Sequence, residues 1–471
     1  MNCKMIALFL AVMAVAVFPA PDFSIMGFAA TGGGTTGGMG GQVVTPETLE
    51  ELKTYAEDRS KPYVILIKKE FNTGKSATIG SDGAISSSGK STTYGDIIRL
   101  GSNKTLVGIG KDAFFNRIGI VIQCQSNIII RNIRFSMKDV PIARTDENKI
   151  VGWVNGSEKI LSDPDCISIQ ADDESVAEAN RISKNIWIDH CEFYNEDPDV
   201  MTDKDRYDGL IDGKNNSTNI TISWCYFHDH HKGSLMGKGN SDDFDRRITY
   251  SHNYFRNISS RLPLIRFGKC HLLNNYIEDG LDGANARINS DLYIEANRFE
   301  NTKKPVFGKI SENGAATFVN NQWINCGRVP KVILSAGDGG GANALSESEE
   351  LKAGSFRPSS FYSYTADQVS NIQSLIPAYC GVGKINTDEY LVTGIREKRR
   401  MPEKRDFAYV SGRRIIFDVY PGTPVSICDL TGKKIFSAIT GKGSFDISRI
   451  VNNGIYIVKA GSRAERFIVG R

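Results

Sequence analysis

Acidic residues occur in closely spaced pairs in the middle of the chain. Asp163 is followed by Asp165, and Asp208 by Asp212. Residues two or four apart share one face of a strand, so each pair can point to one side. Carboxylates that converge without an equal number of bases raise one another's pKa, and oxygen ligands suit Ca²⁺. The pairs predict a calcium site, and ordinary surface acids are the alternative for either pair alone.

Four basic residues accompany these acids. Lys214 follows the second pair, Lys232 comes later, and Arg261 and Arg266 flank a Leu-Pro-Leu-Ile segment. Two residues five apart face opposite ways on a regular strand, but Pro263 interrupts regular pairing, so a bend can bring both arginines to one side. Paired arginines suit planar carboxylates in bidentate geometry. A solvated charge pair is the alternative.

A repeated strand pattern surrounds these residues. Each copy begins with an apolar residue, any residue and a second apolar residue, and it ends on an apolar residue. A small or amide residue stands two places before that end. In chain order this residue is Cys191, Cys225, Asn253, Asn275, Asn297 and Asn321. The later copies settle at a period of about 22 residues, which is typical of one coil of a parallel β-helix. The fold class is therefore predicted to be all-β, with the asparagines hydrogen-bonded along the helix axis. A β-sandwich is the alternative, and it would not explain the asparagine column.

Two cysteines belong to the same column as the asparagines. Cys191 and Cys225 are predicted to be buried thiols, and a strained disulfide between neighbouring coils is the alternative. No cysteine forms a Cys-x-x-Cys pair, which argues against zinc and thioredoxin-like sites.

Overall charge and the N-terminus restrict the class of protein. Lys and Arg number 57 against 54 Asp and Glu, which is too balanced for a protein that binds nucleic acid by bulk attraction. Lys4 precedes an apolar run from Met5 to Phe18, too short to span a bilayer but typical of a signal peptide. Residues 1–30 are predicted to be that peptide, with cleavage near Ala30 or, alternatively, Ala20; an anchor helix is the other interpretation. We expect a secreted or cell-surface protein without an integral membrane segment.

The C-terminal part of the chain differs from the repeat region. A basic, Pro-containing run within residues 385–410 predicts a linker after a main domain over residues 31–384. Alternation of apolar and polar residues then returns, with turn residues between the segments. Residues 411–471 are predicted to form a small antiparallel, β-sandwich-like domain.

Five segments of the main domain resemble pectate lyases of polysaccharide lyase family one. The likeness covers roughly Ala30 to Lys384 and depends on the ordered set, namely residues 35–41, 102–110, 186–190, 208–214 and 261–266. The resemblance implies a right-handed parallel β-helix. It also implies calcium-dependent cleavage of α-1,4-polygalacturonate by β-elimination, which gives 4,5-unsaturated oligogalacturonides.

The resemblance also implies roles for individual residues. Arg261 matches the proposed catalytic base, whereas Lys214, Lys232 and Arg266 match substrate-binding residues. Because an arginine is protonated at neutral pH, we expect an alkaline optimum. Ca²⁺ would be held at four positions, of which the third is often Glu in the family: Asp163, Asp165, Asp208 and Asp212.

Other functions use the same types of residue. A pectin lyase is one alternative, although such enzymes typically lack the calcium carboxylates. A polygalacturonase-type hydrolase would use paired carboxylates and water, and a non-catalytic β-helix would bind polysaccharide without cleaving it. His228-Asp-His-His231 permits a zinc site, but the family has a similar His-rich stretch, so we predict a structural role. The expected partner is polygalacturonate or pectin, without nucleic acid, and a monomer suffices for the site.

Three segments of the C-terminal domain resemble sorting domains of type IX secretion: residues 429–434, 446–448 and 454–459. The resemblance implies secretion machinery as a second partner. A carbohydrate-binding or spacer module is the alternative.

Overall fold

The computed structural model describes ten ranges of the main domain and seven strands near the C-terminus. The ranges are 21–72, 96–138, 143–144, 150–154, 157–160, 165–201, 203–204, 207–336, 341–388 and 390–391. The chain divides into two compact units, Met1–Gly394 and Ile395–Arg471.

The first unit consists mainly of three parallel sheets, and successive coils of the chain add one strand to each sheet. The first sheet has eleven strands: Gln42–Val44, Tyr63–Ile67, Lys104–Gly108, Ser126–Arg131, Ser183–Asp189, Ser217–Ser223, Arg247–Ser251, Gly268–Leu273, Ser290–Glu295, Ala315–Val319 and Lys352–Ala353. The second has nine: Glu70–Asn72, Phe114–Asn116, Arg134–Ser136, Glu192–Tyr194, Tyr226–Lys232, Tyr254–Ser260, Tyr276–Glu278, Arg298–Glu300 and Gln322–Ile324. The third has eight: Asp96–Arg99, Ile118–Gln123, Ile167–Gln170, Ile211–Gly213, Ser234–Met236, Leu264–Ile265, Asp282–Ala286 and Lys304–Gly308. The predicted parallel β-helix is confirmed.

Shorter elements complete the first unit. Its α-helices are Leu49–Ala56, Lys331–Ser335 and Ile372–Tyr379, and its 3₁₀ helices are Gly27–Ala30, Glu178–Asn180, Ile310–Glu312, Glu347–Glu349, Pro358–Ser360 and Val369–Asn371. Small sheets join Ala143–Arg144, Ile150–Val154 and Ser157–Ile160, and Cys326–Val329 with Gly341–Ala344. None of the helices in the described residues is long and apolar enough to cross a membrane.

Stacked side chains explain why these segments form coils. Phe135, Phe193, Phe227 and Phe255 are buried, and consecutive ring centroids lie 5.1, 5.1 and 4.6 Å apart. These separations are close to the spacing of neighbouring strands, so each coil places one ring on the ring of the coil before. The interior is therefore filled by like residues from successive copies of the repeat.

The predicted asparagine column is present in the structure. The Nδ2 of Asn253 donates to Asn275 Oδ1 at 3.0 Å, Asn275 donates to Asn297 at 2.9 Å, and Asn297 donates to Asn321 at 3.0 Å. Since buried amides must find partners, the column satisfies each side chain from the next coil. Cys225 continues the column, because its backbone N–H donates to Asn253 Oδ1 at 3.0 Å.

The two cysteines of the column are free thiols. Cys191 and Cys225 are both fully buried and unbridged. They agree with the buried-thiol prediction and not with the disulfide alternative.

The N-terminal segment is packed against the first sheet. Phe28 and Ala29 are fully buried. Their backbone N–H groups donate to Thr249 Oγ1 at 3.1 Å and to Thr221 Oγ1 at 3.0 Å. Cleavage near Ala30 would remove these residues from the folded domain, whereas cleavage at Ala20 would keep them.

The second unit contains antiparallel strands in two sheets. One sheet comprises Ala408–Ser411, Arg414–Phe417 and Ser444–Asp446, and the other Lys434–Ile439, Pro424–Cys428, Gly454–Ala460 and Arg463–Val469. The predicted small antiparallel β-domain is confirmed. Its first strand begins before the predicted boundary at residue 411.

Candidate active site

Four neighbouring strands of the third sheet carry most of the predicted site. These strands are Ile167–Gln170, Ile211–Gly213, Ser234–Met236 and Leu264–Ile265, and they pair in that order. The predicted residues that the structure describes lie in these strands, just before them or just after them. Residues that are far apart in sequence are therefore brought to one corner of the coils.

Three of the four predicted calcium ligands lie together. One carboxylate oxygen from each of Asp165, Asp208 and Asp212 lies within 4.8 Å of the others. Among the described residues, these three form the one group of three or more side chains that could together hold a metal ion. Asp163 lies outside the described residues.

Only one oxygen of Asp212 accepts a hydrogen bond among the described residues. Its side chain is fully buried, and its Oδ1 accepts the backbone N–H of Leu235 at 3.0 Å. Its Oδ2 is also buried and has no hydrogen-bond partner among the described residues. A Cβ on Gly209 would lie 2.0 Å from Asp212 Oδ1, so the carboxylate fits only because residue 209 has no side chain.

The carboxylates are not as short of bases as the sequence suggested. Lys214 Nζ lies 3.0 Å from Asp165 Oδ2, 3.6 Å from Asp212 Oδ2 and 3.9 Å from Asp208 Oδ2. Lys232 Nζ and Arg261 Nη1 lie 3.6 and 3.7 Å from Asp208 Oδ1. Separate coils therefore bring three cations to the three described carboxylates, and the comparison with four carboxylates lies outside the described residues because Asp163 does.

Burial still shifts the protonation of the cluster. Burial, followed by the charge of Asp212, raises the pKa of Asp165 well above its usual value. Burial and the charge of Asp208 raise the pKa of Asp212 to about 6. Burial therefore disfavours the charged form of these carboxylates in spite of the nearby cations, and a bound cation would favour the charged form.

The two arginines of the predicted site flank a short strand. Arg261 has a left-handed backbone, with φ of 63°, just before Leu264–Ile265, and Arg266 follows that strand. Arg266 Nη1 donates to the carbonyl oxygen of Gly237 at 2.8 Å. Burial, then the charges of Arg287 and Arg261, lower the pKa of Arg266. The irregular backbone before the strand brings the two guanidinium groups within electrostatic reach of each other.

The His-rich stretch, residues 228–231, contacts the backbone of the carboxylate cluster. His230 Nε2 lies 2.6 Å from the carbonyl oxygen of Asp208, and its Nδ1 lies 3.3 Å from Asn195 Nδ2. Burial lowers the pKa of His230 to about 3, so the ring is neutral, and a hydrogen bond to Asp208 requires the proton on Nε2. The sequence assigned His230 a structural role within the His-rich stretch but did not connect it with Asp208, and it did not single out Gly209. The position of Gly209 directly after Asp208 is the signal that could have found it.

The other histidines of this stretch have separate partners. His228 Nδ1 lies 2.7 Å from Asp229 Oδ2, and His231 Nε2 lies 2.5 Å from the carbonyl oxygen of Met201. These contacts agree with the predicted structural role.

Comparisons with known proteins match the chain to one family. A family model described as pectate lyase matches residues 1–385. A pectate trisaccharide-lyase of Bacillus licheniformis is 35% identical over 373 residues, covering 79% of this chain and 89% of the relative. The pectate lyase plyB of Emericella nidulans is 31% identical over 395 residues, covering 79% and 98%.

Solved structures show the same likeness. The crystal structure of pectate lyase Bsp165PelA from Bacillus sp. N165, in complex with trigalacturonate, has 27% identity and a TM-score of 0.54. The match covers 77% of this chain and all of that one. Parallel coils, a carboxylate cluster beside lysine and arginine, and these matches lead to one conclusion: the chain belongs to the pectate lyase family.

Proposed function

We propose that this pectate lyase is calcium-dependent and uses Arg261 as the base in β-elimination. The observation that carries the proposal is the cluster of Asp165, Asp208 and Asp212 with Lys232 and Arg261 at its edge. Both basic side chains are within 3.7 Å of Asp208. A metal-binding group and a candidate base therefore share one corner of the coils.

The donor set fits Ca²⁺. All three clustered groups are carboxylates, which are preferred by this hard cation, and Asp212 Oδ2 is buried without a hydrogen-bond partner in the described part of the chain. Asp165, Asp208 and Asp212 would hold the ion, with Asp163 as a fourth proposed ligand. When bound, Ca²⁺ supplies positive charge that stabilises the negative charge developing on the uronate during elimination.

The basic residues have distinct proposed tasks. Lys214, Lys232 and Arg266 bind uronate carboxylates, because cations pair with anionic groups and the arginine fork matches a planar carboxylate. Arg261 would take the proton from C5 of the sugar as a neutral guanidine, which is the reason an alkaline optimum is expected. The electron pair of that C–H bond forms the C4=C5 double bond, and the C4–O bond breaks with its electrons leaving on the glycosidic oxygen.

The test is the ultraviolet absorbance of the unsaturated product from polygalacturonate. Activity should require calcium and disappear on chelation. Arg261→Lys should nearly abolish turnover while calcium binding, measured by titration calorimetry, persists. Arg256→Lys is the matched control, since Arg256 is a 54% exposed strand residue. Full turnover by Arg261→Lys would remove Arg261 as the base.

The same assay separates the alternatives. A polygalacturonase-type hydrolase would give reducing ends without ultraviolet absorbance, and a binding protein would give neither. A pectin lyase would prefer methylated pectin and ignore chelation. Because the Bacillus licheniformis relative is named a pectate trisaccharide-lyase, we propose the unsaturated trisaccharide as a main product, which chromatography of the digest would test.

We propose that the enzyme is secreted and that its mature chain retains residues 21–30. Phe23 supports this boundary beside the buried Phe28, because its carbonyl oxygen accepts a hydrogen bond from Arg131 Nη2 at 3.1 Å. Its ring also lies 4.6 Å from that of His190 and 5.1 Å from that of Trp224. N-terminal sequencing of the exported protein should find Pro21 or an earlier residue first, and a chain starting at Thr31 would refute the proposal.

We also propose that the C-terminal domain directs type IX secretion. The support is the sequence likeness of three of its segments together with its separate fold. Fusing residues 411–471 to an inert exported reporter tests the role. A reporter that stays in the periplasm would count against sorting and favour a binding or spacer module.

A further inference from the structure

Two proposed substrate-binding residues occupy equivalent positions in different coils. Lys214 follows Ile211–Gly213 directly, and Arg266 follows Leu264–Ile265 directly. Between them, Gly237 follows Ser234–Met236. These three strands are neighbours in the third sheet, so the turns after them lie next to one another.

A buried ion pair joins the three turns. Arg246 and Asp242 form a salt bridge, with side chains 0% and 2% exposed. Asp242 Oδ2 accepts the backbone N–H of Asn215 at 2.9 Å and that of Lys238 at 2.8 Å. The carboxylate therefore fixes the residue after Lys214 and the residue after Gly237.

Arg246 completes the connection from the other side. Its Nη2 donates to the carbonyl oxygen of Asn215 at 2.6 Å, and its Nη1 donates to that of Arg266 at 3.2 Å. Nη1 also donates to the carbonyl oxygens of Asp242 and Phe244 at 2.9 and 3.3 Å. Both backbone groups of Asn215 and the carbonyl group of Arg266 are thus held by one ion pair.

The backbones of these turns pack closely, which leaves the turns little room to move closer together. Gly237 has φ of +100°, and a Cβ there would lie 2.8 Å from both Cβ and the carbonyl oxygen of Arg266. Gly268 has φ of +82°, and a Cβ there would lie 2.3 Å from the carbonyl oxygen of Arg246. The two glycines allow the backbones of neighbouring turns to approach this closely, and the ion pair fixes how the turns are aligned.

We propose that Asp242 and Arg246 are positioning residues that set the separation of Lys214 and Arg266, and thereby the affinity for a polyuronate chain. This inference rests on the proposed roles of those two cations. An ion pair buried this deeply is costly unless hydrogen bonds compensate for its burial. Arg246 Nε has no hydrogen-bond partner among the described residues, and the other hydrogen bonds of the pair join three turns, which gives the pair a defined task. Displacing a binding group by a fraction of its contact distance weakens substrate binding without removing the calcium ligands.

Kinetics on polygalacturonate test the proposal with Asp242→Asn and Arg246→Lys. Asp242→Asn keeps hydrogen-bonding capacity but removes the negative charge of the ion pair. Arg246→Lys keeps the positive charge but removes the planar fork of the guanidinium group. KM should rise by about tenfold while kcat stays within about threefold. Calcium affinity by titration calorimetry should not fall below that of the parent, since the pair does not contact Asp165, Asp208 or Asp212 and a displaced Lys214 would only weaken the competition with the ion.

Asp245→Asn is the matched control. It makes the same charge change in the same loop, but Asp245 is 51% exposed and pairs with Lys269 and Arg247 at the surface. Equal KM values for Asp242→Asn and Asp245→Asn would overturn the inference. So would loss of calcium affinity in parallel with substrate affinity, or failure of both pair variants to fold, because the pair would then serve the whole domain. A parent enzyme without calcium-dependent elimination would instead refute the proposed function.

Discussion

Lys214→Met tests whether the lysine acts as a permanent counter-ion for the carboxylate cluster. Lys214 Nζ is within 4 Å of Asp165, Asp208 and Asp212, and its side chain is 20% exposed. Although burial opposes it, the charges of these carboxylates raise the pKa of Lys214. Methionine has a similar length without the charge, so the substitution mainly removes electrostatic attraction.

The magnitude follows from the distances. At 3.0 Å, the shortest of these separations, one pair attracts by about 5 kcal/mol at an effective dielectric constant of about 20. Desolvation of the lysine offsets part of this attraction, and breaking a buried pair typically costs about 3 kcal/mol or somewhat more. We therefore expect Lys214→Met to lower the free energy of unfolding by about 3 kcal/mol in chelator at pH 8.

Calcium and pH should change this loss in defined directions. Removing a cation from the cluster should tighten calcium binding by about tenfold or more, and saturating calcium should then restore stability by mass action. The loss in chelator should shrink as the pH falls through about 6, because protonation of Asp212 removes one of the unpaired charges. A packing defect would not respond in this way.

The assay is urea unfolding in chelator and in calcium, at pH 8 and pH 5, together with calorimetric calcium titration. Lys238→Met is the control, because Lys238 is 47% exposed and lies 3.8 Å from a single partner, Asp172. Lys238→Met should lower the free energy of unfolding by less than about 1 kcal/mol. Unchanged stability of Lys214→Met in chelator, or weaker calcium binding, would refute the reasoning.

Three further predictions concern the cluster and the coils. Gly209→Ala should weaken calcium binding by at least about tenfold in calorimetry, because its Cβ would displace the Asp212 carboxylate. Calcium affinity should fall as the pH is lowered through about 6, since Asp165 and Asp212 have raised pKa values and must lose protons before they bind the ion; a flat profile from pH 8 to 5 would contradict this. Asn275→Ala should cost about 2 to 3 kcal/mol in urea unfolding, because it leaves buried partners unsatisfied, whereas Asn343→Ala, at an exposed strand position, should cost less than about 1 kcal/mol.

The repeat spacing predicted the coils because the same contacts recur in each copy. Asn253, Asn275 and Asn297 stand in one column of the sequence pattern and form one hydrogen-bonded column in the structure. The positions of Asp208 and Asp212 likewise predicted a shared carboxylate cluster, because the two residues are four positions apart on one short segment. Where local geometry controls the arrangement, the sequence was sufficient.

Contacts between coils were harder to predict. The approach of Lys232 and Arg261 to Asp208 depends on stacking three successive coils, and no local pattern gives their register. Phe28 looked like the end of an exported leader, but the sheet that buries it lies far along the chain. No sequence signal pointed to Asp242 for the same reason, since its partner Asn215 belongs to the neighbouring turn.

The order of strands in the third sheet limits how the protein can change in length. Asp165, Asp212, Lys232 and Arg266 are contributed by successive coils at one corner. Insertion or deletion of a whole coil between Asp165 and Arg266 would shift one part of the site by about 4.8 Å, the spacing of neighbouring strands. Coils gained or lost before Ile118–Gln123 or after Asp282–Ala286 would leave these distances unchanged. Lineages of this fold are therefore free to vary at both ends of the solenoid while the middle keeps its number of coils.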